Sequence, residues 1–130
     1  MSRDNAITTF QSVPAAAAGT RTEYFQVGDR PFIAKNVYHM LHTAGADEDE
    51  TCDSDWAYTT DGSAFTVIFA GTARDVGGAT LYSAALVPVK QNTSEINVRV
   101  PAGAVIRCVQ TGAGTTPSFI VNSSLDGTYV

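Results

Sequence analysis

Alternating apolar and polar positions dominate the second half of the chain. Between Glu95 and Val100, Ile96, Val98 and Val100 point one way, Asn97 and Arg99 the other, as on a half-buried strand. Pro101-Ala-Gly103 makes a turn, and Ala104 to Gln110 returns with Ile106 and Cys108 inward and Arg107 outward. Ala64 to Ala73 carries Phe65, Val67 and Phe69 on one face and Thr66, Ile68 and Ala70 on the other. Both faces are poor in charge, which predicts a strand inside a sandwich or at a subunit interface. Thr22 to Val27, Trp56 to Thr60, Thr80 to Lys90 and Ser118 to Asn122 add further strands, punctuated by Gly28-Asp29, Asp61-Gly62, Gly77-Gly78 and the loop 112–117. Pro88 puts a bulge or an edge near the end of Thr80–Lys90. Pro31 to Thr43 is ambiguous. Phe32, Val37, Tyr38 and Leu41 form a helical stripe, whereas Val37, His39 and Leu41 alternate as on a strand, the preferred reading. No long amphipathic helix and no internal repeat appears. The prediction is an all-β chain: an antiparallel β-sandwich or jelly roll.

Residues 1–21 lack this alternation. Ser12-Val-Pro-Ala-Ala-Ala-Ala-Gly-Thr20 is low in complexity, and four alanines are too few to nucleate a helix. The expectation is a flexible N-terminal arm over residues 1–21 and one β-sandwich domain over 22–130, together the size of an ordinary domain. The N-terminus has no continuous apolar run of the secretory kind, and no stretch approaches the roughly 20 apolar residues of a membrane helix.

Charge changes the picture at one place. The 130 residues carry a formal charge of −5, with 44% hydrophobic and only 16% charged residues. Asp47, Glu48, Asp49, Glu50, Asp53 and Asp55 crowd one segment, and the remaining seven acids face eight basic residues. The acidity is therefore local. Non-specific nucleic-acid binding needs basic patches, which this balance does not offer. The acidic segment reads as a solvated loop or an electrostatic contact. Its weaker alternative is a Ca²⁺ site at Asp47, Asp49, Asp53 and Asp55, although Cys52 stands where an EF-hand needs its turn glycine. Cys52, in the same segment, and Cys108 match no zinc or redox spacing and read as two reduced thiols, a disulfide being the lesser alternative.

Catalytic signals are thin. His39 and His42 would share a helix face but diverge on a strand, and no third metal ligand is specified. There is no nucleophile elbow, and neither glycine-rich segment completes a phosphate loop. No cofactor is implied and an enzyme is not expected. Trp56, Tyr58 and Tyr82 are candidate stacking faces for a sugar, with burial in the core or an interface the favoured reading.

The chain as a whole joins an Ala/Thr/Pro-containing arm, Thr8 to Arg21, to a Thr/Ala/Gly/Val-rich β domain best seen in Phe65–Ala73, Leu81–Val89 and Ile96–Ile106. In that style it resembles small virion proteins of tailed bacteriophages, of the capsid decoration (cement) type. The resemblance implies a non-enzymatic protein, made in the host bacterial cytoplasm and carried in the virion, that binds and stabilises the capsid. It implies the major capsid protein or other virion proteins as partners, a homo-oligomer with a trimer favoured, and neither nucleic acid nor membrane. Thr8, Thr9, Phe10, Val13, Pro14 and Arg21 are then the expected partner-binding residues. The alternatives are a carbohydrate- or host-surface-binding module of a phage tail or fibre, with Trp56 and Tyr58 as stacking faces, and a small hydrolase using His39 or His42.

Overall fold

A computed structural model describes residues 7–12, 15–16, 19–77, 86–114 and 118–130. Among these residues there is no helix, and the strands form two antiparallel sheets packed as a β-sandwich. The first sheet contains β1 (Ile7–Gln11), β2 (Ala15–Ala16), β4 (Phe32–Thr43), β8 (Pro88–Lys90), β9 (Val98–Val100) and β11 (Ile120–Tyr129). Its order is β1-β11-β4-β8, with β2 also on β11 and β9 also on β4. The second contains β3 (Gly19–Gln26), β5 (Thr51–Thr59), β6 (Thr66–Phe69), β7 (Arg74–Asp75) and β10 (Val105–Ala113). Its order is β3-β10-β5-β6, with β7 also on β5.

The alternating segments fold as their pattern predicts. Val100, Ile106 and Cys108 are buried, and Arg107 faces out. The ambiguous segment is one strand, β4, and its helical appearance has a physical cause. Asn36 pairs with Asp126 and Ala34 with Gly127, so Lys35 is an extra residue in the ladder. This bulge shifts the inward phase from Phe32 and Ala34 to Val37, His39 and Leu41. The backbones come close here. A β-carbon on Gly127 would overlap the carbonyl oxygen of Ile33 and the ring of Phe32.

Three elements depart from expectation. β5 runs through the acidic segment, with Cys52, Ser54 and Trp56 inward and Asp53 and Asp55 on the other face. The acidic loop is thus only the turn before Glu50, and Cys52 belongs to a strand. β6 buries Ile68 and packs Phe69 against the core, while Val67 is 62% exposed. β11 continues seven residues beyond Asn122, because the polar side chains of Ser123 and Asp126 have partners across the fold. Thr80–Ala85 of an expected strand lies outside the described residues.

Part of the expected arm belongs to the sheets. β1 pairs with β11 from Ile7–Thr128 to Gln11–Ser124. Phe10 wedges between Phe25 and Phe32, its ring centroid 5.8 and 5.1 Å from theirs. Arg21 lies on β3, and Val13 and Pro14 fall outside the described residues.

The bulge gives a direct test. Gly127→Ala should cost on the order of 3 kcal/mol in urea unfolding, the scale of overpacking against a fixed backbone. Gly28→Ala, whose β-carbon meets nothing within 4 Å, should change stability by less than about 0.5 kcal/mol.

Candidate functional site

Most of the chemistry-bearing side chains lie between the sheets. Trp56 Nε1 donates to Ser123 Oγ at 3.0 Å, and Ser123 Oγ donates to Ser54 Oγ at 3.0 Å. Ser54 Oγ lies 2.5 Å from His39 Nε2. Indole can only donate, so Ser123 Oγ accepts from Trp56, and the line ends on a buried, neutral imidazole. Burial pushes His39 down to about 4, and the nearby Arg74 guanidinium adds to the effect. A serine beside a histidine is the contact a nucleophile and its base would make. Here His39 is 2% exposed and Ser54 is buried, and no described residue hydrogen-bonds to His39 Nδ1. The pair is sealed from any substrate and lacks an orienting carboxylate among the described residues. His42 diverges from it, as a strand dictates, and meets Asn122 Oδ1 at 3.1 Å.

Glu50, which the sequence groups with the exposed acids, is 0% exposed. Its carboxylate accepts the Asp47 N–H at 2.7 Å and the backbone N–H of Ser118. These two donors hold its carboxyl below the usual carboxylate range. Gly45 and Gly114 make room for it, since a β-carbon on Gly45 would strike the carboxylate and one on Gly114 would crowd Cγ. No local pattern marks this role, because Ser118 lies 68 residues away.

The proposed Ca²⁺ ligands do not converge. Asp47 and Asp49 sit on the exposed turn, and Asp53 and Asp55 lie on the outer face of β5. Asp55 Oδ1 accepts the Gly71 N–H at 2.8 Å, and Gly71 packs so close that a β-carbon would strike Asp53. Burial raises the Asp53 carboxyl, and Asp55 beside it adds to the rise. Among the described residues no three His, Cys, Asp or Glu side chains are placed to hold a metal.

The sugar-stacking reading loses its anchor. Trp56 is 0% exposed and stacks on Phe25, with centroids 5.8 Å apart, and Tyr58 packs against the same core. Strand alternation turns the ring inward, as the favoured reading of a buried aromatic expected. Tyr82 lies outside the described residues. An open cleft of about 480 Å³ does exist between the sheet edges, over Ile68, Phe69, Ile96 and Val98, with Arg74 and Asn92 on its wall.

The open chemistry lies on the outer face of the second sheet. Tyr24, Arg107, Ala57 and Val67 stand in one row across β3, β10, β5 and β6. Tyr24 and Val67 are each 62% exposed. The Arg107 guanidinium lies 3.7 Å from the centre of the Phe65 ring, a cation–π contact that keeps it on this face. The outward direction of Arg107 is legible in the sequence. The row is not, because cross-strand register is not a local property.

No family model and no curated protein matches the chain. Among solved structures it is similar to the structure of infectious bursal disease virus Gx strain, with TM-score 0.43, 8% identity, and coverage of 96% of this chain and 32% of that one. It is similar to Desmodium yellow mottle tymovirus with TM-score 0.37, 13% identity, and coverage of 95% and 88%. For infectious bursal disease virus Gt strain the values are 0.36, 10%, and 97% and 31%. The chain thus spans about a third of the bursal disease virus chains.

His39 sets the acid response. Its proton affinity is lower folded than unfolded, so the unfolded chain binds more protons as pH falls from 6.5 towards 4. Stability contributed by the neutral ring should decline across that window, by up to about 3 kcal/mol, and level off below it. In urea titrations at stepped pH, His39→Leu should flatten this part of the profile.

Proposed function

We propose that the chain is a non-enzymatic virion structural protein of the capsid decoration (cement) kind, working in the virion by binding and stabilising an assembled shell. The observation that carries this reading is the outer-face row of Tyr24, Arg107 and Val67, with Phe65 beneath Arg107. Interface centres favour aromatic and arginine side chains at open positions. His39, its partner Ser54, and both cysteines are buried, which supports a binding role over a catalytic one. Ile7, exposed at the start of β1, is a separate open apolar position on the first sheet. In this reading Thr8, Thr9 and Arg21 contact the shell from strands, and Phe10 anchors them from the core.

Cosedimentation with empty shells of the virus that encodes the chain tests this. Wild-type chain should pellet with the shells. Arg107→Glu combined with Val67→Asp should weaken pelleting about tenfold or more while circular dichroism stays that of a β-protein. Failure of the wild type to bind, or an unchanged double variant, would overturn the proposal.

A further inference from the structure

β3 forms an edge of the second sheet. It pairs with β10 through all eight residues, Gly19 to Gln26, without a bulge. No other described strand pairs with it. A long straight edge is a template for another strand, and proteins usually blunt such edges with proline, lysine or a bulge. β3, reading Gly-Thr-Arg-Thr-Glu-Tyr-Phe-Gln, has no proline, lysine or bulge, and its two charges, Arg21 and Glu23, are of opposite sign.

The strand is instead complementary to itself. Two copies laid antiparallel about a two-fold axis at Thr22 place Arg21 of each copy opposite Glu23 of the other. Thr20 then faces Tyr24, Gly19 faces Phe25, and Thr22 faces its own equivalent. Opposite charges and threonine pairs at facing positions stabilise antiparallel strands. Arg21 and Glu23 already share a face within one chain, 3.3 Å apart, with side chains 45% and 18% exposed. The period of two requires facing residues to share a face, so the axis must pass through a residue. Moving it one residue sets Arg21 against Arg21 or Glu23 against Glu23, and like charges directly opposite destabilise the pair.

We propose that β3 is a homodimerisation edge, through which two copies join their second sheets into one continuous sheet. The contact is isologous, as a two-fold interface requires. It concerns copies of this chain alone and does not depend on the shell-binding reading. It also predicts pairs, where the resemblance to decoration proteins favours a trimer.

Light scattering after size exclusion of the full chain should give twice the 13.7 kDa chain mass, falling on dilution. Arg21→Glu and Glu23→Arg should each raise the dissociation constant about tenfold, and the double reversal should restore it. Circular dichroism checks that each variant is folded. In a second test, Thr22→Cys treated with copper phenanthroline should give a disulfide-linked dimer on a non-reducing gel. Thr20→Cys should not, because Thr20 faces Tyr24. Both natural cysteines are buried, so they do not compete. A monomer at every concentration, an exclusive trimer, single reversals without effect, or failure of Thr22→Cys to cross-link would each overturn the proposal.

Discussion

Trp56, Ser54 and His39 meet Ser123 along a single line that crosses from β5 to β4 and β11. Ser12 joins from the end of β1, exchanging two hydrogen bonds with the Ser123 backbone. The line lies between two apolar clusters. One gathers around Phe32, Trp56, Ile106 and Leu125, and the other around Leu41, Cys52, Phe119 and Val121. Apolar packing alone is non-directional and tolerates sliding. A buried hydrogen-bonded line does not, because a shift would leave several desolvated donors and acceptors without partners at about 1–3 kcal/mol each. The line therefore sets which residue of one sheet faces which residue of the other. The positions of β1 and of the outer faces follow from it.

The same polar line explains what the sequence hides. The strands that show are those whose inward residues are all apolar, such as Val98–Val100 and Val105–Cys108. β11 beyond Asn122 and the first half of β5 carry serine and aspartate where a core strand would carry valine, so local pattern reads them as loop. In β4 the bulge at Lys35 breaks the phase and imitates a helix. The all-β character and the inward direction of Ile106 and Cys108 were legible. Burial of Trp56 was the favoured reading, but its hydrogen-bond partner 67 residues away was not legible, and neither was the burial of Glu50, whose partner lies 68 residues away.

The acidic segment shows how one run of residues divides among roles. Asp47, Glu48 and Asp49 remain on an exposed turn, Glu50 turns inward to pin that turn to Ser118, and Asp55 holds Gly71. A run of like charges is therefore half solvation and half scaffold. The low charge elsewhere leaves strand faces whose apolar and aromatic groups stay open.

Cys52 and Cys108 are both unbridged and buried. Burial pushes the Cys52 thiol up to about 12, with Asp53 adding to the rise, and it raises Cys108 as well. Thiolate is the species that oxidises and exchanges, and at these proton affinities almost none exists near neutral pH. The folded chain therefore keeps the same covalent structure in a reducing cytosol and in aerated medium. Its resistance to oxidation follows from burial of both thiols.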